Sequence, residues 1–228
     1  MKLLVVAGLL LAPAILAGLA RRRLYRLCYS FPAYLLAVWI GELLILAWPE
    51  RFYRWSFWQI KETAYAVLKL ATALELGSLA FKAFPGARQR AKSLALLVLL
   101  ATLGALLLEP VTSTDFRSLA LELQPRLANG TALLFASVWA LVFWYHIPLH
   151  RLHRAILRGF VPYLLIFTTG MRLLASLGRD IQHAAAGADS IAYVAMLAYW
   201  AWEAWRKEPE DTASSPVLRR LQPWRDRL

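Results

Sequence analysis

The chain contains a single cysteine, Cys28, which excludes an intrachain disulfide and any cysteine-built metal cluster. Acidic residues are also scarce: 14 Asp and Glu stand against 26 Lys and Arg, giving a formal charge of +12. There is no Gly-rich phosphate loop, no HExxH helix, no visible Ser-His-Asp set and no polar segment of soluble-domain size. These absences remove the usual templates for nucleotide binding, zinc proteolysis and serine hydrolysis. What the chain has in excess is apolar sequence. Of 228 residues 60% are hydrophobic, where a soluble domain is closer to half, and the mean hydropathy is +0.49. The excess is gathered into long blocks, so the reading is an all-α polytopic membrane protein, and its positive charge is assigned to basic loops rather than to nucleic acid.

Seven apolar blocks are expected to span a bilayer: residues 2–20, 29–48, 61–84, 92–109, 128–147, 157–177 and 189–205. Each is long enough, or nearly so, to cross about 30 Å of hydrocarbon at 1.5 Å per residue. Prolines interrupt several, at Pro13, Pro32 and Pro162, which membrane helices tolerate when neighbours satisfy the freed carbonyls. Seventeen Lys and Arg fall after odd-numbered blocks and in the tail, seven fall on the opposite side, and Lys69 and Arg172 lie within spans. Positive charge collects in cytoplasmic loops, so the N-terminus is expected outside and the C-terminus in the cytoplasm, with the protein multi-pass in a bacterial inner membrane. Residues 1–206 then form the membrane domain and 207–228 a flexible cytoplasmic tail. The first block has a rival reading as a signal peptide cut after Gly18-Leu19-Ala20. Arg21, Arg22 and Arg23 would follow that cut at once and resist export, so the helix is expected to stay.

Two outer connections differ in character. Residues 49–60 are crowded with Phe52, Tyr53, Trp55, Phe57 and Trp58, rings that favour the headgroup level. Residues 110–126 offer Thr114-Asp115 as the cap of a short helix ending before Pro125.

Charges inside apolar spans are expensive and are normally paired, solvated or used. The third span carries Glu62, Lys69 and Glu75. Glu62 and Lys69 are seven apart and share a face with Tyr65 between them, and Glu75 lies on another face nearer the inner end. Glu42 in the second span and Arg172 in the sixth fall at compatible depth. Glu42, Glu62, Lys69 and Arg172 are therefore expected to form a neutral cluster in the outer half, either as register-fixing pairs or as a site opening outward. Glu75 lacks an obvious partner. In the seventh span Asp189, Tyr193, Met196, Trp200 and Glu203 mark one face, read as packing with the acids at the two interfaces. His146, His150 and His153 have i, i+4, i+7 spacing, weak candidates for a metal because Pro148 breaks the helix and Arg151 and Arg154 repel a cation. No cofactor is expected, and the last span has no lysine for a retinal.

The run from Phe52 to Arg90 carries a resemblance. An aromatic loop (Phe52, Tyr53, Trp55, Trp58) precedes Glu62, Glu75 follows thirteen residues on, and Phe84-Pro85-Gly86-Ala87-Arg88 closes the segment. This resembles an uncharacterised group of seven-helix bacterial membrane proteins of acidobacterial type. The resemblance implies the seven-helix fold and marks Glu62 and Glu75; Lys69 stands where that group has an apolar residue. It brings no activity. The expected function is a non-catalytic sensory or ligand-binding membrane module acting through a membrane or cytoplasmic partner, its small-molecule ligand unknown. The alternatives are a small transporter or proton-coupled carrier using the intramembrane Glu and Lys, and a structural subunit of a larger membrane complex.

Overall fold

A computed structural model describes residues 2–82, 116–177 and 181–207. Among them the structure is all-helical. The long helices are α1 (Lys2–Arg21), α2 (Ser30–Ala47), α4 (Trp55–Lys82), α5 (Phe116–Trp144), α6 (Arg151–Leu177) and α7 (Gln182–Trp205). A 3₁₀ turn, Leu24–Leu27, joins α1 to α2, and the single-turn α3, Pro49–Phe52, joins α2 to α4. Three stretches are long and apolar enough to cross a membrane, Ser30–Ala47, Arg126–Trp144 and Arg151–Leu174; Val6–Arg21 is apolar but shorter. The expected span at 92–109 lies outside the described residues, as do Phe84–Arg88 and the tail beyond residue 207.

Several boundaries move from expectation. The aromatic loop is largely helical, because Pro49 can open α3 where its missing N–H costs nothing, and α4 starts at Trp55, six residues ahead of its apolar run. The connection expected to hold a separate short helix is, from Phe116 on, the first third of α5, which continues through Pro125, while the expected cap at Thr114-Asp115 lies outside the described residues. Pro32 sits in the first turn of α2, where the missing N–H is again harmless, whereas Pro13 and Pro162 lie inside α1 and α6.

The six long helices among the described residues contact one another in a ring, in the order α1, α2, α4, α5, α6, α7, with α7 returning to α1. One end holds the close of α1, the starts of α2 and α6 and the close of α7; call it the arginine end. There Arg22 Nη2 donates to the Trp205 carbonyl at 2.6 Å, and Arg22 Nη1 donates to the Arg206 carbonyl. From α6, Arg151 Nη1 reaches the Lys207 carbonyl at 3.1 Å and Nη2 the Arg206 carbonyl at 2.8 Å, while Arg151 Nε lies 2.7 Å from Glu203 Oε2. A helix leaves its last carbonyls unsatisfied and its C-terminus partly negative, so two guanidinium groups suit this position. The opposite end carries Ala47, α3, Trp55 and Gln182; call it the loop end.

Close packing and internal hydrogen bonds fix the contacts between these apolar helices. Two tryptophans of α7 supply both. Trp200 Nε1 donates to the Ala155 carbonyl of α6 at 3.0 Å, and Trp205 Nε1 to the Ala14 carbonyl of α1 at 2.9 Å. Each ring lands beside a glycine four residues beyond its acceptor, Gly159 and Gly18 respectively. A Cβ on Gly159 would lie 2.3 Å from Trp200 Nε1, and one on Gly18 would lie 3.0 Å from the Ala204 Cβ. The two glycines thus let α7 approach both of its neighbours in the ring.

Candidate functional site

The ring interior is layered. Its middle is filled by Phe31, Phe135, Phe160 and Trp200, all nearly inaccessible, with Phe135 and Phe160 stacked at 4.6 Å and Phe160 and Trp200 edge-on at 4.7 Å. One turn toward the loop end the rings acquire hydroxyls: Tyr34 from α2, Tyr65 from α4, Tyr163 from α6 and Tyr193 from α7. Tyr34 and Tyr65 meet at 6.3 Å and Tyr163 and Tyr193 at 5.8 Å. The Tyr65 hydroxyl donates to the Val38 carbonyl at 3.2 Å.

The charges lie among these tyrosines. Lys61 Nζ is 2.9 Å from Glu42 Oε1 and 3.7 Å from Glu62 Oε1, so it binds both acids expected to serve Lys69. Lys61 reaches α2 because Gly41 leaves room: a Cβ there would sit 2.2 Å from the Tyr65 hydroxyl and 3.1 Å from Lys61 Cδ. Lys69 makes no ion pair within 4 Å among the described residues. Its ammonium lies instead in the field of Glu62 on its own helix and Asp189 on α7. The Tyr163 hydroxyl stands beside the Asp189 carboxylate, yet Asp189 Oδ1 is buried without a hydrogen-bond partner. Lys69, Glu62, Tyr163, Tyr193 and Asp189 are all half-buried among the helices. The arrangement is a polar chamber with an aromatic floor.

Two expected members, Arg172 and Glu75, stand elsewhere, and so do the three histidines. Arg172 is exposed on α6 and forms no ion pair with any described residue, so the neutral four-member cluster is not assembled. Glu75 is a helix cap reaching across from another helix. Its Oε1 accepts the Tyr29 amide at 2.9 Å, and its Oε2 accepts the Ser30 amide at 2.9 Å and the Ser30 hydroxyl, with Cys28 Sγ at 3.4 Å. A carboxylate at the positive start of α2 is well placed electrostatically, which is the partner the sequence did not reveal. Burial pushes the Cys28 thiol beside it up to about 12. The histidines do not share one helix. His146 occupies a left-handed turn between α5 and α6 with φ of 47°; His150 caps α6, its Nδ1 accepting the Leu152 amide at 3.2 Å; His153 Nε2 donates to the Leu27 carbonyl at 3.1 Å. No group of three metal-ligating side chains occurs among the described residues.

Two charged residues of the chamber were not expected in it, Lys61 and Asp189, nor were the tyrosines Tyr34, Tyr163 and Tyr193. Lys61 reads as a loop charge because the aromatic stretch before it hides the start of α4. Asp189 reads as an interfacial residue, although its helical face, shared with Tyr193 and Trp200, was visible in the spacing. A cleft of about 190 Å³ opens beside the chamber between α1, α2 and α7, lined among others by Gly8, Trp39, Glu42, Asp189, Ser190 and Tyr193. No family model matches this chain, and neither a curated protein nor a solved structure matches it.

Proposed function

We propose that the protein is a non-catalytic ligand-binding module of a bacterial inner membrane. It crosses the bilayer seven times, with its N-terminus outside and C-terminus in the cytoplasm, and it signals through a partner protein. The observation that carries this reading is the chamber: lysines and carboxylates from three helices, with four tyrosines, gathered at the loop end over an aromatic floor. Intramembrane charges of this kind mark function more often than support, and Lys69 takes no ion-pair partner within 4 Å among the described residues. On the proposed topology the chamber faces outward, so a ligand enters from outside while the aromatic floor separates it from the arginine end. Changes at the chamber reach the arginine end along α7, which contributes Asp189 to the chamber and Glu203 to the Arg151 ion pair.

The test is a thermal-melt screen of the purified full-length protein against small cationic, anionic, zwitterionic and neutral probes. A saturable rise in melting temperature with one class, lost in Lys69→Met or Asp189→Asn, supports the reading. If no class shifts the melt, the chamber is structural. Time-dependent uptake by proteoliposomes would replace the sensory reading with that of a carrier.

A further inference from the structure

The chamber holds one more acid than it holds amines among the described residues. Among the described residues it holds three carboxylates, Glu42, Glu62 and Asp189, but only two ammonium groups, Lys61 and Lys69, since Arg172 stands apart and exposed. Lys61 is committed to Glu42 and Glu62 at 2.9 and 3.7 Å. Lys69 is shared between Glu62 and Asp189 at longer range. The shortfall therefore falls on the side of Asp189, whose Oδ1 is buried and without a hydrogen-bond partner. An ionised group out of water is costly unless its charge is compensated, so this imbalance sets the sign of what the site takes.

The cleft between α1, α2 and α7 is where compensation fits. It brings Asp189 and Glu42 to one wall-lined space with the Ser190 side chain and the rings of Trp39 and Tyr193. Carboxylates satisfy an ammonium by hydrogen bonds, and aromatic rings attract the same charge. The rest of the lining, Leu4, Leu9 and Val38 among others, is apolar and suits a short hydrocarbon stem. About 190 Å³ corresponds to about six waters, too small for a drug-sized molecule and sufficient for a small amine. α1 contributes Leu4, Gly8, Leu9 and Ala12 here and no charge. The titratable neighbours are thus Glu42 and Tyr34 on α2, Lys61, Glu62, Tyr65 and Lys69 on α4, Tyr163 on α6 and Tyr193 on α7.

We infer that this cleft is a binding site for a small organic ammonium ion, held between Asp189 and Glu42 with its stem against α1. The inference rests on the ligand-binding reading above and names its ligand class. The probe is propylammonium chloride, compared at equal ionic strength with sodium chloride and with sodium propionate, on the full-length protein in detergent. Propylammonium raises the melting temperature saturably and the two controls do not. Asp189→Asn weakens the half-maximal concentration by at least about tenfold, as removal of one member of a buried charge pair does. It also melts no lower than wild type without the probe, because the uncompensated charge is gone. Glu42→Gln serves the same arm if Asp189→Asn gives no folded protein. Lys69→Met, which deepens the negative excess, tightens propylammonium.

An equal propylammonium response in wild type and Asp189→Asn overturns the inference. So does a melting temperature that climbs between pH 8 and pH 5 with no propylammonium effect, since a proton then occupies the place. A response to propionate alone, lost in Lys69→Met, would leave the ligand-binding reading standing and remove only the cationic assignment. Silence toward every probe class would remove both.

Discussion

Single atoms decide several contacts. Gly159 is the sharpest case, because its missing Cβ is where the Trp200 indole sits at 2.3 Å. Gly159→Ala should lower the melting temperature, at the cost of about 1–3 kcal/mol typical of overpacking, and Trp200→Phe in the same chain should recover part of it. A double-mutant melt checks this; an additive or neutral outcome would mean the two helices part without penalty. Cys28 offers a second test. Its thiol is pushed up to about 12 by burial, from an ordinary value of 9.0. The folded protein should therefore resist maleimide at pH 8, where an unfolded thiol reacts readily. The sign for stability follows: the neutral thiol is favoured in the fold, so its contribution is complete below pH 9 and is lost as pH rises toward 12. Rapid labelling of native protein at pH 8 would contradict this environment.

At the scale of elements, the apolar runs made the helices legible and the ring order illegible. Hydrophobic blocks near 29–48, 128–147 and 157–177 correspond to α2, α5 and α6 because a long apolar run in such a chain has little choice but helix. Which helix touches which depends on Gly18, Gly41 and Gly159 and on where two indoles donate, and periodicity does not encode that. The candidate site was half legible for the same reason. Glu42, Glu62, Tyr65 and Lys69 were found as charges and a hydroxyl in apolar surroundings. The partner of Glu42 was missed because Lys61 lies on a helical extension whose aromatic sequence reads as loop. Glu75 was seen as a buried acid, but its role needs the start of α2 brought to it from 45 residues away. The coupling expected between Lys69 and Glu42 accordingly moves to Lys61. A thermal cycle of Glu42→Gln and Lys61→Met should give about 0.5–1 kcal/mol, modest because the Glu42 side chain is 39% exposed. The matching cycle with Lys69→Met should give a smaller value, and a larger one would restore the original pairing.

For the molecule as a whole, the proposed topology is tested by reporters. A fusion after residue 206 should report cytoplasm, and one within 110–126 the outside. An outside reading after residue 206 would remove the seven-span arrangement and, with it, the outward-facing chamber. The ring also bears on the fate of the first helix. Ala14 accepts the Trp205 indole and Gly18 packs against Ala204, so a cut after Ala20 would take one wall of the cleft and both contacts with it. The intact mass of protein purified from membranes should therefore include α1, and a chain beginning at Arg21 would show otherwise.

The clasp of Arg22 on the last turn of α7 joins positions 184 residues apart. During synthesis α1 therefore waits for α7 before it has its main partner among the described helices. Until α7 emerges, α2 is the one long described helix that α1 packs on, and Ala14 and Gly18 lack the contacts that α7 brings. Closure of the ring of described helices therefore cannot precede the synthesis of α7. A ribosome that stops before Trp205 leaves an open arc of helices rather than a smaller version of the same protein, and quality-control proteases would meet that arc with both of its edges unsealed.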